Sequence, residues 1–389
     1  MHTVRLTAGK DRAILAHHHW IFSGAFESLP LEVPNGSLVK VESARGELLG
    51  QAYINRNSNI TGRMIAFSDK PITEVLRQKI RAAVRLRNSL FDPNLTTAYR
   101  IINAEGDELP GLIIDRYADV LVLQITTLGM EKLKPVMLSI LTEMLPSFSI
   151  LERSISPVRK TEGLADFEGW MRGKPRPQLE IVENGLKFAI NFEHTQKTGF
   201  FLDQREMRSL VRQYAKDRHV LNCFAFSGGF SIAALAGGAK QAISVDISVP
   251  ACQLATQNAE LNGFSAQQHH ATADDVFHYL QELRAAHDFV ILDPPAFAKK
   301  KSDVPNAIRG YRDLNRLAIS KLPPNSFLLT CSCSYHIDPT LFQKIIFQAA
   351  LETGRKVQIL ERHRLASDHP INIYHPEADY LKSLFLAVE

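Results

Sequence analysis

Between residues 220 and 360, short strand-like runs, most of them apolar, alternate with helical stretches, and this alternation restricts the fold more than any other feature of the chain. The runs Val220–Phe224, Ala242–Asp246, Gln267–His270, Phe289–Asp293, Phe327–Cys331 and Lys356–Leu360 read as strands. Helical patterns lie between them, including Val249–Leu261, Asp275–Ala286 and Pro339–Thr353. Parallel strands need a crossover of a dozen or more residues, usually a helix. The pattern therefore predicts an α/β domain on a parallel sheet with helices on both faces. Ligands of such sheets bind beyond the carboxyl ends of the strands, where strand order reverses. Functional residues are best sought at strand ends.

Upstream the pattern differs. In residues 1–68, Leu38–Val41 and Leu48–Tyr53 flank the turn Arg45-Gly46, and Ile60–Phe67 is another extended run, so a small β-barrel fits. His17-His18-His19-Trp20 invites a metal reading. Three adjacent histidines cannot all face one ion from a regular element, so a surface loop or helix end is expected and no metal. From Pro71, Ile72, Val75, Leu76, Ile80, Ala83, Val84 and Leu90 recur at helical intervals. A hairpin is expected over Leu112–Gln124 and a helix over Met130–Met144, an α+β module that ends in the stiff polar stretch Arg172–Pro177. Domains are accordingly placed at 1–69, 70–176 and 177–389.

No apolar run approaches the ~20 residues that span a bilayer, and Met1–Leu6 lacks the apolar core of a signal peptide. The expectation is a cytoplasmic protein with no membrane partner, its four cysteines reduced. They form no paired C-x-x-C knuckles, which argues against structural zinc. A net charge of +4 permits nucleic acid without requiring it. Basic residues gather at Arg77–Arg87, Arg153–Lys160, Arg172–Arg176 and Lys299–Lys301, each of which a solvated surface also explains.

Four strand ends carry candidate ligand groups. Asn222-Cys223-Phe224-Ala225-Phe226-Ser227-Gly228-Gly229 joins a strand to an apolar helix, and paired glycines let backbone approach a ligand closely. Asp246 follows at about the distance expected of a ribose-binding carboxylate, or else caps the next helix. One of Asp274 and Asp275 can accept from an adenine amino group while the other caps a helix, with Val276 or Phe277 against the ring. Asp293-Pro294-Pro295-Ala296-Phe297 makes a rigid shelf, because the prolines fix φ and remove two backbone donors. There Phe297 can stack on a flat ring and Asp293 can accept from, or share a proton with, its polar edge. Neither the dinucleotide fingerprint nor G-x-x-x-x-G-K-[ST] is present. Taken in order, these parts resemble the S-adenosylmethionine-dependent methyltransferase fold.

The fifth strand runs into Thr330-Cys331-Ser332-Cys333-Ser334-Tyr335-His336. Methylating an amine needs no thiol, since a lone pair already exists there. Carbon 5 of a pyrimidine has none until a thiolate adds to carbon 6. Cys223 and Cys252 read as small buried hydrophobes. Cys331 and Cys333 alternate along an extended segment and can share a face. His336 is a base or a surface residue.

Cys333 in Cys-Ser-Cys-Ser matches the Ser-Cys-Ser of the bacterial 23S ribosomal RNA cytosine-5 methyltransferases of the large subunit methyltransferase I family, which the chain resembles over nearly its whole length. His18-His19-Trp20-Ile21-Phe22-Ser23-Gly24-Ala25 is similar to the start of that family's PUA domain, and Asp107–Tyr117 to its central domain. His194–Arg205, Asp368-His369-Pro370 and Tyr380-Leu381-Lys382 match further motifs. The resemblance implies a Rossmann-like class I methyltransferase domain with a mostly parallel seven-stranded sheet, after a small β-barrel PUA domain and a central α+β domain. It implies S-adenosyl-L-methionine as cofactor, held by Lys197, Phe200, Asp203 and Arg205 together with Asn222, Phe224, Ser227, Gly228, Gly229, Asp246, Asp274, Asp275 and Asp293. Cys333 and Asp293 would be catalytic, and Pro294, Pro295 and Phe297 would receive a base of 23S ribosomal RNA. The oligomeric state is open, a homodimer included. Ala296 stands where the resemblance puts a lysine, and Cys331 where it puts an aromatic. Guanine N2 methylation and a non-catalytic RNA-binding assembly factor are the rival readings.

Overall fold

The computed structural model describes residues 1–193, 198–283, 287–363 and 365–389. The chain forms two compact units: Met1–Ile181 with Asn191–Leu202 and Ser367–Asp379, and Val182–Ile190 with Asp203–Ala366 and Tyr380–Glu389.

The first unit starts with β1 (His2–Leu6), α1 (Arg12–Leu15), β2 (Trp20–Ile21), β3 (Phe26–Ser28), β4 (Leu38–Glu42), β5 (Leu48–Ile54) and β6 (Gly62–Ala66). Among the described residues these strands make one sheet in the order β2-β6-β5-β4-β1-β3. Alternation sends Val4, Leu6, Val39, Val41, Ala52, Ile54 and Met64 into its core. The unit continues with α2 (Ile72–Leu90), β7 (Ala98–Asn103), β8 (Leu112–Tyr117), β9 (Val120–Ile125), α3 (Leu128–Met144), β10 (Ser149–Ser154), α4 (Pro157–Thr161) and β11 (Phe167–Arg172). Here the sheet order is β11-β10-β9-β8-β7. The expected helix after Pro71 is α2, and the expected hairpin is β8–β9. Arg87, fully buried on α2, donates to both carboxylate oxygens of Asp107 at 2.5 and 2.7 Å and to the Asp368 carbonyl at 2.8 Å.

The histidine run follows α1 but is not a surface feature throughout, because His19 is wholly buried. His18, His375 and Glu377 offer ligand atoms within 4.8 Å of one another. The Trp20 N–H donates to His18 Nδ1 at 3.2 Å. That leaves Nε2 to carry the proton, 3.2 Å from Glu377 Oε1, with no lone pair for an ion. The group is bonded as hydrogen-bond partners.

Next come the hairpin β12 (Gln178–Glu183) and β13 (Leu186–Asn191), then α5 (Arg205–Tyr214), β14 (His219–Cys223), α6 (Gly229–Ala236), β15 (Gln241–Asp246), α7 (Val249–Leu261) and β16 (His269–Ala273). They are followed by α8 (Val276–Glu282), β17 (Phe289–Leu292), α9 (Val304–Lys321), β18 (Ser326–Ser332), α10 (Pro339–Thr353), β19 (Val357–Arg362) and β20 (Lys382–Val388). Among the described residues the large sheet has seven strands in the order β16-β15-β14-β17-β18-β20-β19. The first five are parallel, and β20 runs antiparallel to both neighbours. Successive residues enter opposite cores: Leu221, Val290 and Leu328 pack with α8, α9 and α10, whereas Val220, Phe289, Ile291 and Leu329 pack with α5 and α6. Burial on both faces is why these strands read as continuous apolar runs. β16 begins at His269 rather than at Gln267, because Gln268 and His269 both donate back to the Ser265 carbonyl in a turn. β20 was not among the expected strands. No described helix is long and apolar enough to cross a membrane.

Candidate active site

Strand order reverses between β14 and β17, so the carboxyl ends of β14, β15, β17 and β18 are the place to look. After β14 the chain turns through Phe224 and Phe226, whose φ angles of 58° and 46° are left-handed. Such angles are held only where surrounding structure determines them. Asp246 supplies part of that hold: its carboxylate accepts from the Phe226 N–H and the Ser248 N–H, each at 2.9 Å. The cap of α7 is the Ser248 hydroxyl, not Asp246. A carboxylate offers about four acceptor positions, so the half-exposed Asp246 keeps capacity on both oxygens for a ribose diol. Gly228, at φ +76°, is a glycine for packing as well as for turning: a Cβ there would lie 2.9 Å from Ala255 Cβ on α7. Gly229 opens α6 and is buried, and the buried Ser227 presents its carbonyl to Asn258.

Asn222 sits one residue inside the strand end. Its amide heads a buried chain to Ser231, Ser244 and His269, with links of 3.0, 2.7 and 2.9 Å. Burial pushes the His269 pKa down to about 4. Asn222 thus faces α6 and the neighbouring strands. Of the two acids after β16, Asp275 is the helix cap, accepting from the His278 N–H at 3.0 Å. Asp274 accepts from the Asp275 N–H at 2.7 Å, and its own N–H donates to the Asp246 carbonyl. Asp274 is thereby the acid tied to the end of β15. Val276 is buried and Phe277 half-buried on the core.

Asp293 follows β17 directly. Register pairs Leu292 with Thr330, which sets Asp293 level with Cys331. Gln204, only 2% exposed, donates to Asp293 Oδ1 at 3.1 Å. Cys331 is fully buried in the core. Burial first, then the nearby Asp293 charge, raises its thiol well above the ordinary range, the state of an unreactive cysteine. Cys333 lies beyond the strand, half-exposed, with Sγ 3.8 Å from the Pro294 carbonyl oxygen. Its loop is pinned on both sides. The Ser334 hydroxyl accepts from the Ala298 N–H at 3.1 Å and pairs with the Tyr311 hydroxyl at 2.9 Å. The Lys382 ammonium on β20 donates to the Ser334 and Tyr380 carbonyls, both at 2.7 Å.

Pro294 is buried and Pro295 exposed. Phe297 is half-buried, its ring 4.6 Å from that of Tyr311 and against Gly310 of α9, so part of its surface is committed to the helix. Lys299 and Lys300 are exposed, and their N–H groups both donate to Asp303. His336 is half-exposed and edge-on to Tyr335.

In the His194–Arg205 stretch, Lys197 lies outside the described residues. Phe200 belongs to the first unit, where its N–H donates to the Tyr117 hydroxyl at 3.0 Å. In the second unit, Asp203 accepts from the Tyr380 hydroxyl. Arg205 is turned inward, 1% exposed, with Nε 3.3 Å from Glu183, which also takes two bonds from Arg208. Sequence reasoning assigned nothing to Gln204, Tyr311, Ser334, Tyr380 or Lys382. Gln204, Tyr380 and Lys382 lie in stretches that carried the resemblance, but their partners are 89, 177 and 48 residues away.

A family model described as S-adenosylmethionine-dependent methyltransferase matches residues 162–383, and one described as a PUA-like domain matches residues 4–67. The chain is 41% identical over 386 residues to ribosomal RNA large subunit methyltransferase I of Vibrio cholerae, covering 97% of each chain. It is 42% identical over 389 residues to the protein of that name from Tolumonas auensis, covering 98% of each. Among solved structures, a proposed methyltransferase complexed with SAH matches with a TM-score of 0.86 and 24% identity, over 99% of this chain and all of that one. That last likeness is one of fold.

Proposed function

The chain belongs to the ribosomal RNA large subunit methyltransferase I family of S-adenosylmethionine-dependent methyltransferases, and from that premise we propose that it methylates carbon 5 of a cytosine in 23S ribosomal RNA through a covalent adduct to Cys333. The observation that carries the reading is the contrast between two thiols: Cys331 sealed in the core, Cys333 half-exposed beside the Asp-Pro-Pro segment.

The donor set at the strand ends suits S-adenosylmethionine. Asp246 has acceptor capacity for a ribose, Asp274 is the neighbouring acid for an adenine amino group, and the Phe224–Gly229 turn brings backbone close. The cofactor, when bound, supplies an electrophilic methyl group. Cys333, as thiolate, adds to carbon 6 of the flipped cytosine, and the displaced π electrons gather toward carbon 5 and the ring nitrogen. Asp293 shares a proton with that nitrogen and so spreads the charge. Once carbon 5 carries the methyl group, a base removes its proton. The C–H electron pair restores the ring double bond, and Cys333 departs as thiolate. The buried Pro294 holds this shelf in place, Pro295 and the open part of Phe297 meet the base, and the exposed Lys299 and Lys300 contact phosphate.

The test is mass mapping of 23S ribosomal RNA after incubation with S-adenosylmethionine and the protein or its Cys333→Ala variant. Wild type should yield 5-methylcytosine and the variant none. A second reading rests on Asp293-Pro294-Pro295-Ala296-Phe297, which resembles the exocyclic-amine methyltransferase motif in its Asp-Pro-Pro. An amine methyltransferase would keep most of its rate without the thiol.

A further inference from the structure

We propose that a groove between the first turns of α10 and the end of β19 is a subsite for an unpaired nucleotide of the RNA substrate. The base stacks on Phe347, and Lys344 and Arg362 hold its phosphate. The inference rests on the reading of the chain as an RNA methyltransferase and is indifferent to which base is methylated.

Pro339, Thr340, Gln343, Lys344, Phe347 and Arg362 line a cavity of about 310 Å³, the size of the smaller ligand sites. Each of these residues is exposed. Gln343, Lys344 and Phe347 lie within about one turn of α10, outside the face that buries Phe342, Ile345, Ile346 and Ala349. Phe347 is 64% exposed. An exposed aromatic alone calls for no explanation. Here two cations share its cavity, no acid lines it, and among the described residues neither cation is paired with an acid. Arg362 is steadied across the groove, its Nη1 donating to Gln343 Oε1 at 2.9 Å. The other guanidinium donors stay open to a phosphate. Aromatic faces set among cations are how proteins hold single-stranded nucleic acid, whose bases stack and whose backbone is anionic.

The groove lies at the end of the sheet that bears Cys333. β18 and β19 both run antiparallel to β20 and are therefore parallel to each other. Arg362 and Thr330 both pair with Leu384, so the end of β19 is level with the end of β18, two strand spacings or about 10 Å away. An RNA strand with its flipped base beside Cys333 brings neighbouring, unstacked nucleotides within reach. A second copy of the chain suits the groove less. A two-fold axis through it would set Lys344 and Arg362 against their own counterparts. Strand addition to β19, the edge strand among the described residues, is opposed by the irregularity between Ile359 and Glu361.

The experiment uses the full-length protein and unmodified 23S ribosomal RNA. It reads RNA affinity against salt, S-adenosylmethionine affinity, melting temperature and sedimentation. Phe347→Ala should bind the RNA roughly 5- to 100-fold more weakly. Phe347→Trp should keep the affinity and Phe347→Leu should lose it, because a π face is needed and not apolar area alone. The double variant Lys344→Gln with Arg362→Gln should flatten the slope of log affinity on log salt by about 0.7, the share of one phosphate on a single strand. Cofactor affinity, melting temperature and sedimentation should match wild type throughout. Wild-type RNA affinity in Phe347→Ala overturns the inference, as does equal binding by Phe347→Leu and Phe347→Trp, or an unchanged salt slope in the double variant. Altered sedimentation of Phe347→Ala with RNA affinity kept assigns the groove to a second copy instead. A wild type that binds no RNA overturns the underlying reading, which separates the two failures.

Discussion

Cys333 Sγ rests 3.8 Å from the Pro294 carbonyl oxygen, within reach of a weak S–H···O hydrogen bond. The contact ties the loop after β18 to the segment after β17, and the two proposed catalytic groups sit on those two segments. A thiol in that position is held by a partner that it gives up on becoming a thiolate.

Replacing Cys333 with alanine should lower methyl transfer at least about a hundredfold while leaving S-adenosylmethionine affinity within about twofold of wild type. Replacing Cys331 with alanine should do the reverse. It empties a buried site and lowers stability by about 1 kcal/mol, with kcat largely kept. Single-turnover methylation and cofactor calorimetry on the two variants check the pair.

Asp246→Asn should weaken cofactor binding roughly 10- to 100-fold, as loss of a hydrogen bond to a charged group implies. The asparagine amide also points an NH2 at the Phe226 or Ser248 N–H, both of which donate to the carboxylate. Titration calorimetry with S-adenosylmethionine measures the change, and an affinity equal to wild type would remove Asp246 from the site.

Gly228→Ala places a side chain at φ +76° with its Cβ 2.9 Å from that of Ala255. Left-handed backbone and overpacking together should destabilise the second unit by about 2–4 kcal/mol. Its melting temperature should fall by roughly 5–10 °C. Thermal unfolding followed by near-ultraviolet circular dichroism would register it.

Acid should weaken both units through buried imidazoles. Burial lowers His19 in the first unit to about 3 and His269 in the second to about 4, from an ordinary 6.5. Above pH 6.5 both are neutral whether folded or not, so their contribution is full. As pH falls below 6.5 the unfolded chain takes protons that the folded chain refuses. Each histidine then loses the fold about 1.4 kcal/mol per pH unit, until pH approaches its folded value. Urea midpoints between pH 7 and 5 should fall accordingly, and His19→Phe, which cannot take a proton, should shallow the slope.

Local signals explain what was legible in the sequence. Helices α7 and α10 begin and end where the periodicity put them, because capping residues Ser248 and Asp338, each followed by a proline in the first turn, mark their starts. Strand ends bearing Asp246 and Asp293 could be found because apolar runs stop there, whereas Asp274, after the mostly polar β16, is found by the alternation of elements. Choosing Asp275 as the cap needed the His278 N–H in space. The approach of Arg205 to Glu183, 22 positions upstream, carries no mark in sequence. β20 escaped for a related reason. It follows an irregular stretch instead of a helix, so no alternation announces it, and its antiparallel pairing with β18 appears only in the fold.

The placement of β20 between β18 and β19 also dictates an order of assembly. β19 precedes β20 in the chain, yet among the described residues β20 is the strand it pairs with. A chain halted anywhere from residue 363 to 381 would leave the outer edge of β18 bare and β19 unpaired, and would lack the ammonium that clasps the Cys333 loop. A fragment ending in this interval should be both sticky and without catalytic competence, so solubility and activity are completed by the same strand.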